Sequence, residues 1–237
     1  MRLGMMQPYF FPFLGHFDLI RSTDRWIVFD TPQYIRHGWI NRNRILHPDQ
    51  GWQWILVPLR KHSHTAAIKD VEINEDLPWR RTILGQLTHY RRRAPYYDTV
   101  VQFVQDCLST PETSLARLNA RILERACRLL GVPFSYQLFS EMNLAIDPVA
   151  GPGDWALRVA AALGADEYVN PPGGEPLFDR AAFAAAGIAL TIRQPPCMEY
   201  RCRGYGFEPH LSIIDVLMWN RPEEISEFLF RESPRLR

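Results

Sequence analysis

The stretch "MQPYFFPFLGHF" (residues 5–16) sets Pro8 and Pro12 inside an otherwise apolar run. Proline has no N–H to give to a sheet ladder, so a strand entering this stretch must stop at Pro8 or lie at a sheet edge. "FLGHFDLIRST" then reads as a helix with Phe13, Phe17 and Ile20 on one side. "RWIVFD" reads as a second strand closed by an acid. Strand, polar turn, helix, strand is a βαβ-type unit, and such a unit implies a parallel pair.

The same alternation returns after residue 150. Helix "DWALRVAAALG", strand "DEYVN", loop "PPGGEP", helix "DRAAFAAAG" and strand "IALTIR" follow one another, and "LSIIDVLMW" and "PEEISEFLF" read as closing helices. Between the two α/β stretches come a loop or hairpin ("TPQYIRHGWINRNRIL"), the strands "WQWILVPLR" and "IKDVEI", and a helical run broken at Pro95. The clearest helix is "STPETSLARLNARILERACRLLG", with Thr110 expected as its cap, Pro111 in its first turn and Gly131 at its end. Ser212 and Asp215 have the spacing of a capping box. The expected fold class is therefore α/β: a parallel-type sheet with flanking helices and a mid-chain helical insertion. Residues 1–146 form an N-terminal α/β region carrying that insertion. Residues 147–237, beginning with the rigid "DPVAGPG" linker, form a second α/β region packed on the same core.

Charge and composition narrow the function classes. A chain of 237 residues with formal net charge +1 has no global field to hold a polyanion. The basic and aromatic "HYRRRAPYY" (89–97) is thus read as a solvated helix end, not as a nucleic-acid surface. The four cysteines form no CxxC pair, and His62 and His64 lack an evident third ligand, so no metal site is expected. "AAFAAAGIALTI" (181–192) is shorter than the roughly 20 residues that cross a bilayer. The first residues lack the apolar run of a signal peptide, and the expected setting is a reducing cytoplasm.

In a parallel α/β sheet, ligands bind beyond the carboxyl ends of the strands. Gln7 and Tyr9 are expected at one such end and Asp30 at the next, facing one crevice. Gly15 permits close approach to the following helix, whose N-terminus favours an anion. "GWINRNRIL" (38–46) places Asn41 and Asn43 on one side of an extended segment and Arg42 and Arg44 on the other. Two guanidiniums sharing a face suit phosphate or carboxylate. Gln33, Tyr34 and His37 lie just upstream. Tyr168, Gly173 and Gly174 belong to a strand-to-helix loop whose N–H groups can meet an anion. Tyr200 lies in a Gly- and aromatic-rich loop that reads as a lid. "PFLGH" is spaced like the HxGH turn of nucleotidylyltransferases, but Phe13 takes the first imidazole position and only His16 remains.

"MQPYFFPFLGHFDLI", "IVFDTPQYIRHGWINRNRI", "LGADEYVNPPGGEPLFD" and "FEPHLSIIDVLMWN" resemble, in that order, the signature segments of the WbqC-like family. The resemblance runs over nearly the whole chain. It departs from the family pattern at His16, where a tyrosine is usual, at His37, where a basic side chain is usual, and at Cys202, where a glutamine often stands. It implies a bacterial protein of surface-polysaccharide or natural-product biosynthesis. The function expected on that basis is an acyl or aminoacyl transferase working on an amine. Its donor would be a phosphopantetheine-bound thioester on an acyl or peptidyl carrier protein. Asp30 or His16 is the expected base. Tyr34, Asn41 and Asn43 would donate to the oxyanion, and Arg42 and Arg44 would hold a phosphate. The alternatives are a nucleotidyltransferase-like enzyme and a non-catalytic module that binds a sugar or carrier protein.

Overall fold

The computed structural model describes residues 1–231; residues 232–237, the end of the C-terminal region expected from 147 onward, lie outside the described residues. In chain order the elements are β1 (Arg2–Met6), α1 (Leu14–Arg21), β2 (Arg25–Val28), β3 (Arg42–Leu46) and β4 (Trp52–Leu56). Then come α2 (Trp79–Gln86), α3 (Tyr97–Leu108), α4 (Leu115–Leu129) and β5 (Tyr136–Leu138). The chain continues with α5 (Asp154–Ala162), β6 (Glu167–Asn170), α6 (Arg180–Ala185), β7 (Ala189–Ile192), α7 (Ile213–Trp219) and α8 (Pro222–Arg231).

Five strands form one sheet in the order β5–β2–β1–β6–β7, and every neighbouring pair is parallel. Side chains of successive strand residues point to opposite faces, and the sheet sorts its core accordingly. Leu3, Met5, Ile27 and Tyr168 pack with Val159 of α5 and Phe183 of α6. Trp26, Val28 and Val169 face the other way, into a larger core shared with α1, the mid-chain helices α3 and α4, and α7. Gly4 lies between Leu3 and Met5 because a Cβ there would come within 2.6 Å of the Trp26 ring.

β3 and β4 form a separate antiparallel hairpin, with Arg44 opposite Trp54 and Asn43 opposite Ile55. The segment "IKDVEI", expected as a strand, is instead a 3-10 turn over Ile68–Asp70 followed by isolated bridges. Its successive N–H groups go to unrelated acceptors: Ile68 to the Pro32 carbonyl, Lys69 to that of Asp30 and Ile73 to that of Thr113. A ladder needs one continuous partner, and here there is none. Helix α4 begins at Leu115 and is capped by Ser114, whose Oγ accepts from the Arg117 N–H at 3.4 Å. Thr110 and Pro111, expected as cap and first turn, precede the helix in a loop. Gly131 does end α4, in the left-handed region at φ +63°.

The loop after β1 shows what the two prolines accomplish. Pro8 stops the strand, and the chain then turns through Phe11 at φ +38°, an unfavourable value for a side chain of that size. Buried polar groups accept the cost of that turn by satisfying its carbonyls. Asn119 Nδ2 donates to Pro8 O at 2.8 Å, and Asn43 Nδ2 to Phe10 O at 3.0 Å and Phe11 O at 2.9 Å. Ser212 Oγ donates to Phe11 O at 2.7 Å, and the Ile213 N–H to Pro12 O at 2.9 Å. The loop is thereby bound to β3, to α4 and to the start of α7.

Candidate functional site

One cavity opens beside this loop, and a second adjoins it. The first, of about 750 Å³, lies at the carboxyl ends of β1, β2 and β6, where the strand-end rule for α/β sheets places ligands. Met5, Met6, Phe29, Trp155, Leu177 and Phe178 give it apolar walls, and residues 149–152 of the linker run along it. Among the described residues its lining holds no carboxylate, ammonium or guanidinium group. Gln7 and Tyr9 lie at the carboxyl end of β1, and neither side chain has a hydrogen-bond partner among the described residues. Burial raises the Tyr9 pKa, so its hydroxyl stays a donor at neutral pH. Across the cavity the Tyr168 hydroxyl is 3.3 Å from Asn170 Oδ1, and burial raises the Tyr168 pKa too.

The two glycines of the loop after β6 differ in kind. A Cβ on Gly174 would lie 2.3 Å from Asn170 Nδ2, whereas one on Gly173 would meet nothing within 4 Å. Only Gly174 is required by close packing.

The second cavity, of about 840 Å³, lies between the turn after Gln33 and the segment following β4. Arg36, Arg42, Arg60 and Lys61 line it together with His37, His62 and His64, and no acid does among the described residues. The turn from Ile35 to Gly38 is closed by the Gly38 N–H donating to Ile35 O at 3.2 Å, with His37 at φ +63°. Arg42 braces that turn: its Nε donates to Gly38 O at 3.2 Å and its Nη2 to His37 O. The same guanidinium stacks over Trp54, 3.9 Å from the ring centre. Behind it the Tyr34 hydroxyl donates to Asn41 Oδ1 at 2.8 Å, and Asn41 Nδ2 to Val57 O at 3.0 Å.

Gln33 and Ile35 belong to both cavities. Two apart in sequence, they share one side of the segment, while Tyr34 between them turns inward. Gln33 is anchored by donating from Nε2 to the His64 carbonyl at 2.9 Å.

The expected site residues therefore divide. Gln7, Tyr9, Tyr168, Gly173 and Gly174 line the strand-end cavity. Tyr34, His37, Asn41 and Arg42 line the basic one, with Gln33 common to both. Five others line neither. Asp30, expected as a base, is buried; its oxygens accept from the Ser140 N–H at 3.0 Å and the Ser140 hydroxyl at 2.6 Å. It fastens β2 to the turn after β5. His16, the other expected base, packs behind Tyr9 and against Trp26, each with ring centres 5.5 Å apart, and burial lowers its pKa to about 3. Asn43 is committed to the Phe10 and Phe11 carbonyls and is not free to meet an oxyanion. Arg44 lies near the His210 carbonyl, beside Trp39 and Trp52. Tyr200, expected in a lid, donates to Asp215 Oδ2 at 2.8 Å in a buried cluster that also includes Tyr90. There Ser212 does cap α7, but the Asp215 carboxylate accepts from the two tyrosines and does not close a capping box.

Sequence reasoning missed the apolar walls and most of the basic lining. Arg36, Arg60 and Lys61 are not neighbours of Arg42 along any one element, and only the path of the chain after β4 assembles them. No helix among the described residues is long and apolar enough to cross a membrane.

Comparison with known proteins matches the WbqC-like protein family over residues 7–227. A similar relative is the uncharacterized protein Rv1507c of Mycobacterium tuberculosis. It is 28% identical over 231 residues, covering 96% of this chain and 97% of the relative. No solved structure matches significantly.

Proposed function

The chain belongs to the WbqC-like protein family, and from that premise and the paired cavities we propose that it is a small-molecule biosynthetic transferase. In this reading it moves an acyl or aminoacyl group from a thioester, carried on a phosphopantetheine arm, to an amine. The observation that carries the reading is the pair of unengaged donors, Gln7 and Tyr9, at the end of β1 in an otherwise uncharged cavity.

A thioester is already activated. The protein's tasks are to hold the amine against the carbonyl carbon and steady the oxyanion. The C–N bond forms as the C–S bond breaks, and the amine's proton passes to the departing thiolate. Gln7 and Tyr9 donate to the carbonyl oxygen, and Met6, Phe29 and Trp155 exclude water from the acyl group. Asp30 and His16 lie outside the cavity, and its lining among the described residues holds no imidazole or carboxylate, so the amine enters unprotonated and its proton goes to the departing thiolate.

The reading is tested by mixing the protein with an acyl- or aminoacyl-loaded carrier protein and a panel of amines, followed by intact-mass analysis. Loss of the acyl group from the carrier with matching gain by one amine is the expected result. Pyrophosphate release from a nucleoside triphosphate, with the thioester untouched, would favour the nucleotidyltransferase alternative.

A further inference from the structure

The second cavity gathers four basic side chains against a chain whose overall formal charge is only +1. Composition alone does not produce such a cluster. Like charges drawn into one concavity repel one another, at a cost that a bound anion lowers. Arg36 and Lys61 form no ion pair among the described residues. Arg60 reaches the exposed Asp76, at 3.7 Å. Arg42 has no carboxylate partner among the described residues either. Two backbone carbonyls and the face of Trp54 fix the plane of its guanidinium, while Nη1 makes no hydrogen bond among the described residues. A guanidinium held in this way presents a ready fork to a phosphate oxygen.

The position of the cluster narrows the ligand further. The basic cavity meets the uncharged one at Gln33 and Ile35, and the uncharged cavity has apolar walls with two neutral donors. A ligand occupying both is charged at one end only.

We infer that the basic cavity is a phosphate site, built by Arg36, Arg42, Arg60 and Lys61, which holds the phosphate-ester end of a ligand whose uncharged chain lies in the strand-end cavity. This deepens the transferase reading and rests on it for the identity of the chain, here a pantetheine-like thioester arm. Arg44, whose guanidinium lies beside Trp52 and the His210 carbonyl, takes no part. A nucleoside diphosphate shares the phosphate chemistry and is the second source to be separated by experiment.

Calorimetric titration of the full chain at fixed ionic strength with 4′-phosphopantetheine, pantetheine and UDP provides the test. The phosphorylated arm is expected to bind at least about tenfold more tightly than pantetheine. Lys61→Ala and Arg36→Ala are each expected to remove most of that difference while leaving pantetheine binding unchanged; Arg128→Ala, at an exposed position on α4, leaves both unchanged. Tighter binding of UDP than of phosphopantetheine, with the same sensitivity to Lys61→Ala, assigns the phosphate site to a nucleotide. Equal affinity for the arm with and without phosphate, with no effect of either cation variant on UDP, overturns the inference. Its failure is distinct from that of the transferase reading. A phosphate-free thioester such as an N-acetylcysteamine ester, consumed with an amine while phosphate adds nothing, would remove the anion site alone. Phosphate-dependent binding with no thioester consumed would remove the transferase alone.

Discussion

The side-chain amide of Asn119, in the second turn of α4, donates to the carbonyl of Pro8 at 2.8 Å, in the loop that ends β1. The same nitrogen donates to the Ile40 carbonyl at 2.7 Å. One buried amide thus ties the loop bearing Gln7 and Tyr9 to the segment leading into β3, and the Phe10 N–H adds a direct bond to the Trp39 carbonyl at 3.0 Å. Asn119→Ala leaves two buried carbonyls without this donor and is expected to cost about 2–5 kcal/mol. Asn119→Asp, which sets a carboxylate against two carbonyl oxygens, is expected to cost more. Urea denaturation measures both; a loss below about 1 kcal/mol in each would show that the two stretches are held by other contacts.

Two buried groups give pH dependences of opposite sign. Burial raises the Asp215 pKa from 3.8 to about 6, against the hydrogen bonds from Tyr90, Tyr200 and the Leu46 N–H. Between those values the folded state binds more protons than the unfolded state, so stability from this group falls as pH rises from about 4 to 6. Burial lowers the His16 pKa from 6.5 to about 3. There the unfolded state binds more protons, and stability rises with pH across the same range. Each slope is at most about 1.4 kcal/mol per pH unit. Asp215→Asn is therefore expected to make stability climb more steeply with pH between 4 and 6, and His16→Leu to make it climb less or fall. Denaturation midpoints measured across that range decide it, and unchanged slopes in both variants would contradict the burial argument.

The adjacent glycines of the loop after β6 are expected to behave differently. Gly173→Ala meets open space and is expected to change stability by no more than about 0.5 kcal/mol. Gly174→Ala pushes on the Asn170 amide, which donates to the Pro171 carbonyl at 2.8 Å and accepts from Tyr168. Turning that amide aside breaks both bonds, at roughly 1–3 kcal/mol, and reshapes the wall of the strand-end cavity. Thermal melts of the two variants, compared at one pH, check the contrast.

Much of the fold was legible because its signals are local. Pro8 marks the end of β1, the apolar run Trp26–Val28 reads as a strand, and the α/β alternation after residue 150 implies parallel pairing. The position of Gln7 and Tyr9 beyond a strand end follows from that architecture alone. What could not be read depends on contacts between distant residues. Asp30 stands at the end of β2 as expected, but Ser140, 110 residues away, engages its carboxylate. Asn41 and Asn43 share a side of an extended segment, yet one is held by Tyr34 and the other by the loop at Phe10 and Phe11. Buried asparagines with these duties look, in a sequence, like candidates for catalysis. The segment "IKDVEI" has strand composition, but its N–H groups find separate acceptors.

The central claim is that Gln7 and Tyr9 face the reacting carbonyl in the strand-end cavity. The most direct measurement is the initial rate of amide formation from a loaded carrier and its amine by Gln7→Ala and Tyr9→Phe, each first shown to melt with the wild type. Loss of one oxyanion donor is expected to lower kcat about 10²-fold, with little change in KM. Rates within about twofold of wild type in both variants would contradict the claim and place the chemistry outside this cavity.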